Sequence, residues 1–210
     1  MSRVRTAASG GRPGARTATS PRSRRRRWLA IAAAAALGAG VAIGVSRIDF
    51  EKAIRELTLP LRHDDIIRQQ AAEKGLDPSL IAAVIYAESR FRNQESEAGA
   101  LGLMQITPET AHLIARLSGG TQFVTGDLSD ADINIRYGSY YLSYLLRRYD
   151  GNEVAALAAY HAGMGNVDRW GGPGLDVEAI GFPDTHAYVE EVLEKRLEYR
   201  DKYADELGLH

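Results

Sequence analysis

Residues 87–110 read AESRFRNQESEAGALGLMQITPET, and the second letter, Glu88, is out of place. Ile81, Val84 and Ile85 precede it at helical spacing, so Glu88 is the next position on the same apolar stripe. An ionised carboxylate on a buried face costs several kcal/mol unless it is paired, and such a group takes up a proton instead. Two readings of Glu88 follow. It pairs with Arg90 or Arg92, or lies at an open helix end; alternatively it is held protonated near neutral pH, as a general acid must be.

Working outward, the flanking segments read as helices. Asp77-Pro78 supplies an N-cap followed by the favoured first-turn proline, and predicts a buried helix from Pro78 to about Phe91 that is apolar almost all round. Asp64 or Asp65 opens an earlier helix that Gly75 closes. Residues 92–106 read as loop, broken by Gly99 and Gly102, until Thr107-Pro108-Glu109 starts another helix. Further helices are expected at about 130–149, 152–163 and 185–206, opened by acidic, Ser, Asn or Thr caps. No sustained period-2 strand pattern and no internal repeat is present. The fold class is mainly α.

Composition narrows the setting. The 210 residues are 45% hydrophobic and 25% charged, as in ordinary globular chains. The net charge of -1 conceals a division: residues 1–27 hold nine of the 26 Lys and Arg and no acid, leaving 17 basic against 27 acidic groups, a net of -10, in the remainder. An acidic body gives no electrostatic reason to expect nucleic-acid binding. With no cysteine there is no disulfide framework, thiolate nucleophile or lipid-attachment site. The five His show no paired metal-ligand spacing, so no metal and no cofactor is expected.

The charge division points to export. Residues 1–27 read as a disordered basic tail. Residues 28–46 then run from Trp28 through 17 uncharged, mostly apolar residues, Leu29 to Val45, which fits an N-terminal hydrophobic helix inserted with the Arg cluster in the cytoplasm. A cleaved signal competes with an anchor, because Ala42-Ile43-Gly44 and Gly44-Val45-Ser46 are both small-x-small patterns. Residues 47–63 form a linker or helical lead-in, and 64–206 the exported domain, anchored to the membrane or secreted.

Motif order adds a resemblance. Glu88-Ser89, then Ser96-x-x-Gly99-Ala100, then Gly102-Leu103-Met104-Gln105 with Pro108 and Thr110-Ala111, resembles the catalytic domain of the soluble lytic transglycosylase (SLT) family. AAYHAG at 158–163 is similar to that family's Ala-Tyr-Asn-Ala-Gly segment, and FPDTHAYVEEV at 182–192 to its final motif. The resemblance implies a lysozyme-like transglycosylase domain that cuts the β-1,4 bond between N-acetylmuramic acid and N-acetylglucosamine in peptidoglycan, leaving a 1,6-anhydro end. Glu88 takes the role of single catalytic acid and base, a recognised exception to two-carboxylate glycosidase chemistry. Ser89, Ser96, Gly102, Met104, Gln105, Tyr160, His161 and Tyr188 fall on the substrate-binding positions. The implied partners are peptidoglycan glycan strands, with the membrane reached through the N-terminal segment.

The residues can also be read without the resemblance. Gly102 admits close backbone approach or simply a turn, Met104 a sugar wall or core filling, and Gln105 a paired donor and acceptor. Two departures from the family pattern stand out: His161 replaces Asn, and Asp184-Thr185 replaces Glu-Thr. The alternatives are a goose-type-lysozyme-like hydrolase, with Glu95, Glu97 or Asp184 as the base, and a non-catalytic peptidoglycan-binding module.

Overall fold

The computed structural model describes residues 50, 52–119 and 125–209. The expected basic tail and hydrophobic segment lie outside them. No helix among the described residues is long and apolar enough to cross a membrane. The chain divides at Ala53 and Ile54 into two units, and the second, Ile54–His210, carries everything that follows.

From Asp64 onward its helices are α1 (Asp64–Lys74), α2 (Pro78–Ser89), α3 (Pro108–Ser118), α4 (Ala131–Arg148), α5 (Glu153–Ala162), α6 (Met164–Trp170), α7 (Pro183–Lys202) and α8 (Ala204–Leu207), with 3-10 turns at Thr125–Ser129 and Gly172–Gly174. Strand pairing among the described residues is confined to isolated bridges at Glu95, Leu101 and Ile106.

The central element is α2, because its sequence leaves it no polar face. Leu80, Ile81, Ala82, Ala83, Val84 and Ile85 are all 2% exposed or less. Each large side chain among them contributes about 1.5–3 kcal/mol by leaving water. Asp77 caps α2 by accepting from the Ser79 amide at 2.9 Å. The same carboxylate accepts from Arg196 and Arg200 of α7, each at 3.0 Å, and so ties the start of α2 to the helix packed along it. Burial opposes the Asp77 charge, but hydrogen bonds from Ser79 and Arg196 outweigh it and hold the carboxyl below its ordinary range.

The exit from α2 is equally defined. Arg90 and Phe91 are both left-handed, at φ 54° and 58°, a conformation that costs a residue with a side chain about 1–2 kcal/mol. The burial of Phe91, 3% exposed and 6.1 Å from the Tyr199 ring, offsets it. The helix therefore stops at Ser89, two residues before the expected end, and turns sharply into the loop of residues 92–107.

Cap chemistry explains where sequence and structure agree. Thr107, Asp130 and Asn152 each accept a backbone amide in the first turn of their helix. It also explains where they part. Neither Asp64 nor Asp65 caps α1, which begins after a left-handed His63 without a side-chain cap. The last long helix starts at Pro183 behind an uncapping Phe182, and ends at Lys202 rather than 206. Tyr203, whose hydroxyl donates to the Leu59 carbonyl at 2.7 Å, marks the break before α8. The seven-residue α6 carries no periodic signal and was not expected.

Candidate active site

Three segments meet around the end of α2. The 94–107 loop covers it on one side, the end of α5 brings Tyr160 and His161 to another, and α7 packs along it. Between them lies a cleft of about 350 Å³ lined by Glu88, Ser96, Gln105, Tyr141, Tyr160 and His161, among others. A larger but more open hollow of about 750 Å³, bordered by Tyr86, Arg90 and Lys195, contains none of the residues expected at a site.

Glu88 stands where the buried stripe of α2 runs out into the cleft. Ile81, Val84 and Ile85 behind it are fully buried, while Glu88 keeps partial access to solvent. No described basic residue pairs with it. Arg90 instead forms an ion pair with Glu191 at 2.7 Å, and Arg92 Nε donates to the Ser89 carbonyl. Burial without a counter-ion pushes the Glu88 carboxyl up to about 7, against the smaller stabilising influence of the Tyr188 hydroxyl. That hydroxyl is buried and makes no hydrogen bond of good geometry within the protein, yet it faces the carboxylate closely enough to favour its charge. Burial beside Glu88 in turn drives the Tyr160 and Tyr188 phenols well above their ordinary range, so both are neutral donors.

The expected site residues separate into two groups. Glu88, Ser96, Gln105, Tyr160 and His161 line the cleft, with Tyr188 stacked beneath His161 at 4.6 Å between ring centroids. Ser89, Gly102 and Met104 lie behind it and support the loop. The Ser89 hydroxyl is buried and donates to the Leu103 carbonyl at 2.7 Å. Met104 is 0% exposed, and its sulfur sits where a Cβ on Gly138 would be, 2.3 Å away, so its side chain fills core and forms no sugar wall. What Met104 offers the site is its carbonyl, which accepts the Tyr160 hydroxyl at 2.9 Å. Gly102 is required because a Cβ there would meet Asn134 Nδ2 at 2.1 Å. Of the carboxylates weighed as a second base, neither Glu95 nor Glu97 lines the cleft, and both are exposed. Asp184 is exposed beside His161.

Asn134, not singled out from the sequence, organises this loop. It is 0% exposed on α4. Its Oδ1 accepts the Met104 amide at 2.8 Å, and its Nδ2 donates to the Leu101 carbonyl at 2.8 Å and the Leu128 carbonyl at 3.0 Å. The available signal was an amide on the helical stripe it shares with Gly138 and Leu142, where an unpaired polar group would be destabilising. Gln105 then extends from the pinned loop at φ 47°, its Nε2 donating to Gly102 and Gln94 carbonyls at 2.8 and 3.0 Å.

This arrangement has counterparts. The chain is 34% identical over 154 residues to the soluble lytic murein transglycosylase of Escherichia coli K12, covering 69% of this chain and 24% of that one. Its fold is similar to the crystal structure of the 70 kDa soluble lytic transglycosylase of E. coli, with a TM-score of 0.67 and 32% identity over 73% of this chain and 26% of that one. An inactive Glu-to-Gln mutant of the lytic transglycosylase Slt of Pseudomonas aeruginosa matches with a TM-score of 0.65 and 35% identity, over 70% and 25% of the two chains. The chain thus spans about a quarter of the length of these relatives. The sequence profile described as Transglycosylase SLT domain matches residues 65–174, and with the mainly helical, lysozyme-like fold around Glu88 this places the chain in the SLT transglycosylase family.

Proposed function

We propose that the chain is a peptidoglycan lytic transglycosylase in which Glu88 is the only catalytic carboxyl. The observation that carries this reading is the state of Glu88: unpaired, desolvated, protonated up to about pH 7, and the one carboxyl lining the cleft among the described residues. The protonated acid donates to the glycosidic oxygen as the bond from C1 of N-acetylmuramic acid breaks. The resulting Glu88 carboxylate then takes the proton of the muramyl C6 hydroxyl as that oxygen bonds to C1. No water is consumed and the acid is regenerated, so one carboxyl serves both steps. The relatives, named as lytic transglycosylases, support the substrate class, and the inactive Glu-to-Gln relative supports a glutamate as the essential group.

Product mass tests the reading. Digestion of purified peptidoglycan is expected to release 1,6-anhydro ends, each one water lighter than the reducing ends a hydrolase leaves. Reducing ends would establish the goose-type-lysozyme-like route, and no cleavage a binding module.

The pH profile is expected to have an alkaline limb. Glu88 must carry its proton to act, so activity falls as pH rises through about 7. Burial lowers the His161 pKa, with Asp184 opposing, so an inflection from His161 lies on the acid side of that limb. His161→Asn is expected to remove any acid-side inflection and keep the alkaline limb. Loss of the alkaline limb in His161→Asn would move the essential proton away from Glu88.

For topology we propose that residues 28–46 anchor the chain, with 1–27 in the cytoplasm and the 64–206 domain facing the wall across the 47–63 lead-in. N-terminal sequencing of protein extracted from membranes is expected to show the uncleaved start. A start near Val45 or Arg47 would show a processed signal and a released enzyme, and protection of 47–210 from protease in spheroplasts would contradict export.

A further inference from the structure

His161 closes α5 with its ring exposed toward the cleft on one side and held on the other. Its Nδ1 lies 3.0 Å from Thr185 Oγ1, and its ring stacks on Tyr188 at 4.6 Å with 29° between the planes. Thr185, in the first turn of α7, is 1% exposed. A buried hydroxyl must place its hydrogen on an acceptor, and among the described residues Thr185 finds one at His161 Nδ1. Donation from Thr185 requires a lone pair on Nδ1. A neutral ring then carries its hydrogen on Nε2, the nitrogen directed away from Thr185.

Two further features keep the ring in that form. Stacking on Tyr188 fixes its plane. The groups able to charge or repel it are Glu88, Tyr188 and Asp184. The first two are neutral below about pH 7, and the opposing pull of the Asp184 carboxylate is outweighed by burial.

We propose that Thr185 is a positioning residue that fixes His161 as the Nε2–H tautomer, and that His161 thereby presents a neutral donor to a carbonyl or hydroxyl oxygen of the bound glycan strand. The inference rests on the glycan-cleaving reading and deepens it by naming a polar contact and the residue that orients it. The donor's reach is specific. An Asn amide at 161 ends near the position of Nδ1, where it can meet Thr185, whereas a Gln amide extends to the position of Nε2.

The test uses the full chain with 15N-labelled histidine and Glu88→Gln to prevent turnover, titrated with soluble strands of alternating N-acetylglucosamine and N-acetylmuramic acid. Long-range 1H–15N correlation at a pH where the ring is neutral is expected to show His161 protonated on Nε2 and bare on Nδ1, with the Nε2 resonance moving on saturation. Thr185→Val, which keeps the volume, is expected to mix the tautomers and weaken binding about 3–10-fold, the worth of one neutral hydrogen bond. His161→Phe should weaken it by a similar factor, and His161→Gln by less. A proton on Nδ1 in the unsubstituted ring overturns the proposal even if Thr185→Val does not fold, as does a Thr185→Val protein with unchanged tautomer and affinity. Strands that bind without moving Nε2 overturn this inference alone, whereas a chain that binds no strand overturns the functional reading on which it rests.

Discussion

Glu88→Gln is expected to lower turnover on peptidoglycan by at least about 100- to 10,000-fold, the range associated with losing a general acid, while the protein remains folded. The amide keeps the shape of the carboxyl and its place at the end of α2, but cannot give up a proton and take it back. A second readout separates chemistry from structure. The folded state holds the Glu88 proton up to about 7, whereas the unfolded chain releases it near the ordinary 4.5. Between those values the folded state binds the extra proton, so this group makes stability fall as pH rises. The loss is complete above about pH 7 and amounts to something on the order of 1–3 kcal/mol for a carboxyl that keeps partial solvent access. Glu88→Gln removes it. The substituted protein should therefore be more stable than wild type at alkaline pH and about equal to it near pH 4, as read by urea denaturation. Near wild-type release of muropeptides by the folded variant would remove Glu88 from the mechanism. An unchanged stability difference across pH would show that the carboxyl is not desolvated.

Asn134→Leu is expected to cost about 3–5 kcal/mol of stability. The substitution keeps the side-chain size but strands the buried Met104 amide and removes a donor from the buried Leu128 carbonyl and from the part-buried Leu101 carbonyl, which keeps the Ile106 amide. A buried donor left unsatisfied costs about 1–3 kcal/mol, and the Leu128 carbonyl adds most of the remainder. The effect should reach activity as well, because the pinned loop carries Gln105 and supplies the Met104 carbonyl that holds Tyr160. A loss under about 1 kcal/mol by chemical denaturation would mean that water replaces the amide and that the loop is held by other contacts.

The difference between Glu88 and Asn134 shows what could be read without coordinates. Glu88 interrupts an apolar stripe, and periodicity alone makes such an interruption visible. Asn134 interrupts one too, but α4 is amphipathic enough for a single amide to pass as part of its polar face. The helices opened by Asp77, Thr107, Asp130 and Asn152 were legible because a short polar side chain ahead of an apolar run has a local job to do. The start of α7 was displaced because Phe182 does no capping, and α6 was missed because seven residues with two glycines at its borders form a helix only through packing. Ser89, Gly102 and Met104 were placed at the substrate because motif position says which segment matters and not which way each side chain turns. Their burial assigns them to the scaffold. Thr185 was visible only as a motif letter, and its role was hidden for the converse reason: a threonine in a first helical turn is ordinary until the ring it meets, 24 residues away in sequence, is in place.

The pairing of α2 with α7 has a consequence for the timing of activity. Glu88 leaves the ribosome roughly a hundred residues before Tyr188, and the family match itself ends at 174, ahead of the whole of α7. Until α7 docks, the end of α2 stands in water, and a carboxyl in water ionises near 4.5 and has no proton to donate at neutral pH. On the proposed mechanism, a growing chain in which α7 has not yet docked is therefore chemically silent. The general acid of α2, on that mechanism, is armed by a helix that follows it by about a hundred residues in sequence.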